Sequence, residues 1–150
     1  VNSRRAFLKG AELLSRRAHG KAELTRKLMQ KYPRECAEQA ADKLEKLGLI
    51  NDGEFADMLA QELYTHRKYG VSRVKQELLR RGIDRALAEE AAERLDKDDL
   101  NRIILLLQTK YRNNLGDEKG IIRTKNSLLR LGYSYSDIRA AFESIENESF

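Results

Sequence analysis

Apolar positions along this chain recur three, four and seven residues apart, with charged positions between them, and no stretch alternates as a strand would. The spacing predicts helix nearly throughout. A first helix is expected over Arg4 to Arg17, with Phe7, Ala11 and Leu14 at i, i+4 and i+7. A second, from Gly20 to Lys31, turns Leu24 and Leu28 inward and Arg26, Lys27 and Lys31 outward, while Glu23 favours its positive start. Tyr32-Pro33 ends it, because proline lacks an amide hydrogen yet fits the first turn of the next helix. That third helix carries Cys36, Ala40, Leu44 and Leu47 inward as far as Gly48.

The next start is the best specified. Asn51 with Glu54 three residues on forms a capping box, and Ile50 and Phe55 flank it at the positions of a hydrophobic staple. The helix turns Phe55, Met58, Leu59 and Leu63 inward and runs to Lys68. A short element between Gly70 and Gly82 follows, with Val71, Val74, Leu78 and Leu79 as its apolar stripe and Glu77 within reach of Arg73 and Arg81 at i, i+4. Gly82 suits the left-handed residue that stops it. A helix from Asp84 then turns Leu87, Ala91 and Leu95 inward. The final third opens with Leu100, Ile103, Ile104, Leu107 and Tyr111 and loops over Asn113 to Asp117. It continues through Leu128, Leu129 and Gly132 and restarts at a second capping box, Ser134 with Asp137, ahead of Ile138, Ala141, Phe142 and Ile145.

Laid on itself at an offset of 50 the chain repeats. Gly20, Gly70 and Gly120 coincide, as do Leu28, Leu78 and Leu128, then Met29, Leu79 and Leu129, and Gly82 with Gly132. A helix that begins near Asp117 would make the Gly120 match fortuitous, so the leucines carry the argument. The fold class expected is all-α: three tandem three-helix repeats over residues 1–48, 49–96 and 97–150. Each copy is too small to bury its own face, so the copies stack into an elongated, curved body.

Composition sharpens this. With 41% hydrophobic and 35% charged residues and no Trp, the interior is shallow, which fits many thin helices better than one thick globule. The net charge of +5 favours an anionic partner without naming one. Residues 1–48 hold 12 basic and 6 acidic residues, against 8 and 10 in 49–96 and 9 and 8 in 97–150, so the excess is N-terminal. Cys36 is the sole cysteine; it reads as a small buried thiol in a reducing cytoplasm. The longest apolar run, Ile103 to Leu107, is far below the roughly 20 residues that span a bilayer. Val1 at the start reads as a trimmed N-terminus, so a missing leader carries little weight.

The candidate chemistry is cationic. Arg16, Arg17, Lys21, Arg26 and Lys27 gather around the second helix. Arg67, Lys68, Arg73, Lys75, Arg80 and Arg81 gather around the fifth, with a thinner third copy in Arg123, Lys125 and Arg130. Such faces suit phosphate or acidic protein, with affinity that falls with salt; the plain alternative is a solvated helix surface. Tyr69, beside Gly70, is the tyrosine to test for stacking, whereas Tyr111 and Tyr133 sit on apolar patterns and belong to a core. His19 and His66 stand in basic, exposed surroundings with no second ligand at metal spacing. There is no glycine-rich phosphate loop and no nucleophile elbow, so neither catalysis, metal nor cofactor is expected. A helix-turn-helix DNA-binding module remains an alternative, although Pro33-Arg34-Glu35, Asp84-Arg85 and Ser134-Tyr135 share no base-reading pattern. A helical adaptor without DNA is a third.

Three segments together carry a resemblance: Arg17-Ala-His-Gly-Lys-Ala-Glu-Leu-Thr-Arg-Lys-Leu28, Leu49-Ile-Asn-Asp-Gly-Glu-Phe-Ala56 and Lys68-Tyr-Gly-Val-Ser-Arg-Val-Lys-Gln-Glu-Leu-Leu-Arg-Arg-Gly-Ile83. In residues, order and spacing the chain resembles the RecX family, regulators of the RecA recombinase. Leu128-Leu-Arg-Leu-Gly-Tyr133 with Asp137-Ile138 is similar to that family's C-terminal part. Gly20 departs from a common serine cap, Asn51 from Asp and Val71 from Pro. The resemblance implies three tandem three-helix repeats and a partner, the RecA filament on single-stranded DNA. There such proteins lodge in the helical groove and restrain ATP hydrolysis, strand exchange and coprotease activity. Whether free DNA is also bound weakly and directly is left open.

Overall fold

The computed structural model describes residues 1–148, and every regular element among them is helical. In chain order these are α1 (Asn2–Arg16), α2 (Lys21–Met29), α3 (Arg34–Lys46), α4 (Asp52–Thr65), α5 (Val71–Arg80), α6 (Arg85–Glu93), α7 (Asp99–Gln108), α8 (Glu118–Arg130) and α9 (Tyr135–Glu148). A 3-10 turn at Arg112–Asn114 precedes α8. Among the described residues no helix is long and apolar enough to cross a membrane. The chain folds into two compact units. One comprises Val1–Ala60 and Glu77–Arg94, the other Gln61–Gln76 and the chain from Leu95 on, so α4 and α5 each contribute to both.

In the first unit α1, α2 and α3 close around Ala6, Leu24, Leu28, Ala37, Ala40, Ala41, Leu44 and Ile50, with Phe7, Leu13, Leu14 and Tyr32 packed against them. Three of the four buried α3 residues are alanines, which lets neighbouring backbones approach closely. The expected stripe is shifted there: Leu47 lies past the end of α3 and is 59% exposed, while Ala37 and Ala41 take inward places. Cys36 is half-buried rather than buried, with Ser3 Oγ 3.5 Å from its sulfur. Pro33 stands just ahead of α3 as its N-cap, not inside its first turn. Met58, expected inward, is 51% exposed, whereas Phe55 and Leu59 are buried as expected.

In the second unit α7, α8 and α9 enclose Ile103, Leu106, Leu107, Tyr111, Leu128, Tyr133, Ile138 and Ala141, with Ile104, Phe142 and Ile145 against them. Tyr111 and Tyr133 are thus core residues, as the sequence predicts. Leu79 and Leu100, assigned to apolar stripes, are each 37% exposed.

Burial repeats with the period of 50. Gly20, Leu24 and Leu28 are buried, as are Gly70, Val74 and Leu78, and then Gly120, Thr124 and Leu128. The helix starts differ. Gly20 and Gly70 precede α2 and α5, whereas α8 begins at Glu118 and places Gly120 inside its first turn.

The starts of these three helices explain the difference. A helix exposes amide hydrogens at its N-terminus, and glycine has no side chain to accept them. For α2 the acceptor comes from further along the chain: Asp52, opening α4, takes the Lys21 N–H at 2.8 Å. For α5 it is Asp99, opening α7, which takes the Val71 N–H at 3.3 Å and the Tyr64 hydroxyl at 2.8 Å. Helix α8 instead uses its own N-cap, Asp117, which accepts from Gly120 N–H at 2.8 Å. The two capping boxes are half-formed in the same sense. Asn51 accepts from Glu54 N–H and Ser134 from Asp137 N–H, each at 3.1 Å.

Gly82 and Gly132 end α5 and α8 with φ of +88° and +98°. Both positions are also crowded. A Cβ on Gly82 would meet the Ala22 methyl at 2.6 Å; one on Gly132 would strike Arg73 Cβ and stand 2.6 Å from the Arg73 nitrogen. Only glycine satisfies the backbone and the contact together.

Candidate partner-binding surface

The expected cations divide between the two units. In the first, Arg16 leaves the last turn of α1 and pairs with Glu12 at 2.5 Å, both side chains largely in solvent. Arg17, just beyond, reaches Glu23 at 3.1 Å, and Arg81 approaches the same carboxylate at 3.9 Å. Lys21 is held between Asp42 at 2.7 Å and Glu45 at 3.0 Å. Hydrogen bonds to those two carboxylates push its ammonium above its ordinary pKa, and Lys21 in turn holds Asp42 below the usual carboxylate range. Lys21 therefore stays charged but offers no net positive field. Arg80 pairs with Glu77 at i, i+3, 2.8 Å.

Two members of this group behave differently. Arg26 is exposed on α2 with no carboxylate in ion-pair range among the described residues. It lines a shallow groove with Thr25, Met29, Arg34 and Glu38. Lys27 donates to His19 Nε2 at 2.9 Å. His19 is a correction: expected exposed, it is 3% exposed, tucked into the turn between α1 and α2. Its Nδ1 lies 2.9 Å from the Arg17 carbonyl, so Nδ1 carries the proton and Nε2 is free to accept from Lys27. Burial holds the imidazole below its ordinary pKa, with Arg17 and Lys27 acting in the same direction.

In the second unit Arg67 and Lys68 follow α4 and are exposed. Lys68 adopts φ +62°, and its carbonyl accepts the Tyr133 hydroxyl. Burial pushes that phenol well above its ordinary pKa, so it stays a donor. Tyr69 is half-buried beneath the Arg73 guanidinium, 4.1 Å from the ring centroid. Arg73 also donates to the Arg130 carbonyl at 2.8 Å, while Gly70 N–H donates to the Leu131 carbonyl at 2.7 Å. Together they satisfy carbonyls that the end of α8 leaves open. Arg73 is thus employed in the fold, whereas Lys75 on α5 makes no ion pair among the described residues. His66 is exposed, as expected.

These distances rank the candidates. Exposed ion pairs contribute about 0–1 kcal/mol, so Arg16, paired with Glu12 in solvent, keeps most of its capacity to turn toward a stronger anion, whereas Arg17 and Arg81 share the largely buried Glu23 and Arg80 holds the largely buried Glu77. Arg26, Arg67, Lys68 and Lys75 have no ion pair among the described residues to break first. Arg34, across the groove from Arg26, was missing from the sequence-based set because its place at a helix start gives no hint of which face it shares. The arrangement presents cationic side chains whose charge would suit an anionic partner.

Comparison with known proteins agrees with this architecture. Residues 6–44 match the family model described as RecX, first three-helix domain, and residues 51–91 match RecX, second three-helix domain. The regulatory protein RecX of Trichlorobacter lovleyi is 34% identical over 146 residues, covering 91% of this chain and 93% of that protein. The regulatory protein RecX of Pseudomonas syringae pv. tomato is 35% identical over 106 residues, covering 69% of this chain and 67% of its own length. The crystal structure of RecX from Lactobacillus salivarius superposes with a TM-score of 0.82 at 23% identity, covering 97% of each chain. Two domain matches in order, and a relative aligned along nearly its whole length, establish that the chain belongs to the RecX family.

Proposed function

We propose that this chain is a non-enzymatic regulator that binds the RecA filament on single-stranded DNA and damps its ATPase, strand-exchange and coprotease activities. It does so through the cations around α2 and α5. Three three-helix repeats, 1–48, 49–96 and 97–150, are the units that present them. The supporting observation is that the exposed Arg26, Arg67 and Lys68 and the half-buried Lys75 form no ion pair among the described residues, in a chain of this family. Acidic protein and DNA phosphate both satisfy such groups, and a nucleoprotein filament offers the two together.

The test is a RecA ATPase assay on single-stranded DNA with the chain added below filament stoichiometry, alongside titration onto specific and random duplexes. Loss of hydrolysis is expected, and Arg26→Glu with Arg67→Glu and Lys75→Glu should weaken it while leaving helicity intact. Each phosphate contact removed should lower the salt slope of binding by roughly 0.7–0.9. Undiminished hydrolysis would overturn the proposal, as would strong discrimination between duplexes, the behaviour of a sequence reader.

A further inference from the structure

The last two helices carry a surface that the basic faces of α2 and α5 do not account for. Where the end of α8 meets the start of α9, a cleft is lined by Lys125, Leu129, Tyr135, Ile138 and Arg139. Its floor is Ile138, 2% exposed, and its walls stand open to solvent, with Leu129 at 41% and Tyr135 at 62%. Ile122, 53% exposed, lies two turns back from Leu129 and extends the same apolar stripe along α8. Singly scattered apolar side chains are ordinary on a surface, but here three adjoin one another around a hole.

The cations at the rim stand over aromatic rings. Lys125 Nζ lies 5.0 Å from the Phe142 ring centroid and the Arg139 guanidinium 5.3 Å from that of Tyr135. Neither forms an ion pair among the described residues. Arg139 declines even Glu143, one turn along α9, and turns toward Tyr135 instead. Nor is the patch a property of the repeat. Fifty residues earlier the corresponding positions are Lys75, Leu79, Arg85, Ala88 and Glu89, so an aromatic replaces a cation, an isoleucine an alanine, and a cation an acid.

We propose that this cleft docks an acidic polypeptide segment carrying one small aliphatic side chain. The apolar side chain would enter between Leu129 and Ile138, and carboxylates on either side of it would meet Lys125 and Arg139. An aliphatic floor with one cation from α8 and one from α9 in its lining fits that arrangement. A nucleic-acid base would need an open aromatic face, and Arg139 already covers one face of Tyr135. The proposal is separate from the filament role, because the cations assigned there lie on other helices.

The test uses the full chain and three fluorescent probes: a short peptide in which Asp and Glu flank one Val, its Asn and Gln counterpart, and oligo-dT. The acidic peptide should bind saturably and its neutral counterpart weakly. Arg139→Glu should lower the affinity roughly tenfold or more, Leu129→Ser should also lower it, and Arg26→Glu should leave it unchanged. Arg139→Gln removes the cation without adding an anion, and circular dichroism confirms that each variant is folded. The proposal is overturned if the acidic peptide fails to bind, or if it binds the Arg139 variants as tightly as the parent. It is equally overturned if oligo-dT displaces the peptide and loses affinity with the same variants, which would make the cleft a nucleic-acid site.

Discussion

Replacing Asp52 by alanine should loosen a helix that lies 31 residues earlier in the chain. The Asp52 carboxylate accepts the Lys21 N–H at 2.8 Å and, among the described residues, is the only side-chain acceptor at the start of α2, since the N-cap there is Gly20. Loss of a helix cap costs about 1 kcal/mol, within a range of about 0.5–2. Asp52 also sits in the first turn of α4, where a negative charge contributes about 0.3–1 kcal/mol against the helix dipole. The expected total is therefore about 1–2 kcal/mol, or roughly 2–8 °C in melting temperature at this chain length. Asp52→Asn keeps an acceptor and removes only the charge, so it should lose the smaller part. The decisive variant is Gly20→Ser. Gly20 has φ −73°, and a Cβ there would sit 3.4 Å from Ile83 and Phe55, so serine fits with little strain and brings its own acceptor. It should rescue Asp52→Ala by more than it stabilises the parent. Urea unfolding of the four combinations, with amide exchange at Lys21 and Leu24, reads out this coupling. Asp52→Ala within about 0.3 kcal/mol of the parent, or a serine effect equal in both backgrounds, would refute the cap.

The His19 geometry sets a pH dependence. Its folded pKa is lowered, so in the window below the unfolded value of about 6.5 the unfolded chain binds more protons and stability falls as pH falls. Stability from pH 7 to 5 should drop more steeply in the parent than in His19→Gln, and an imidazole titrating at or above its ordinary pKa by NMR would contradict it. Gly132→Ala should cost more than the ~1–2 kcal/mol of a left-handed backbone alone, because its Cβ meets Arg73. Gly48→Ala is the matched control: φ is +79° but nothing lies within 4 Å, and equal losses in urea unfolding would remove the clash from the argument. Tyr133→Phe leaves the Lys68 carbonyl without the hydroxyl it accepts and should destabilise by about 1–2 kcal/mol, visible as faster amide exchange over residues 66–70.

What could be read from the chain was whatever depends on near neighbours. The capping residues Asn51 and Ser134, the stop at Gly82, the core places of Tyr111 and Tyr133 and the period of 50 all follow from spacing within a turn or from self-comparison. What escaped depends on residues that meet only after folding. His19 looks solvent-exposed in a run of cations, and only the packed turn between α1 and α2 hides it. Arg73 looks like one more surface charge until the end of α8 presents open carbonyls to it. Met58, Leu47 and Leu79 satisfy an apolar period, yet helical spacing cannot decide which edge of a wide stripe meets a neighbour. The same limit holds for the candidate surface: twelve side chains were legible as a cationic set with one tyrosine, but which of them keep their charge free required the distances to Glu12, Glu23, Asp42, Glu45 and Glu77.

The borrowed caps give the chain a direction in time. During synthesis α2 is complete before Asp52 is added, and α5 before Asp99, 28 residues past Val71, so each of these helices waits on sequence still to be translated. Helix α8 waits for nothing, since Asp117 precedes it. A chain that stopped short of Asp52 or Asp99 would thus keep α2 or α5 with a frayed start, however complete the helix after it.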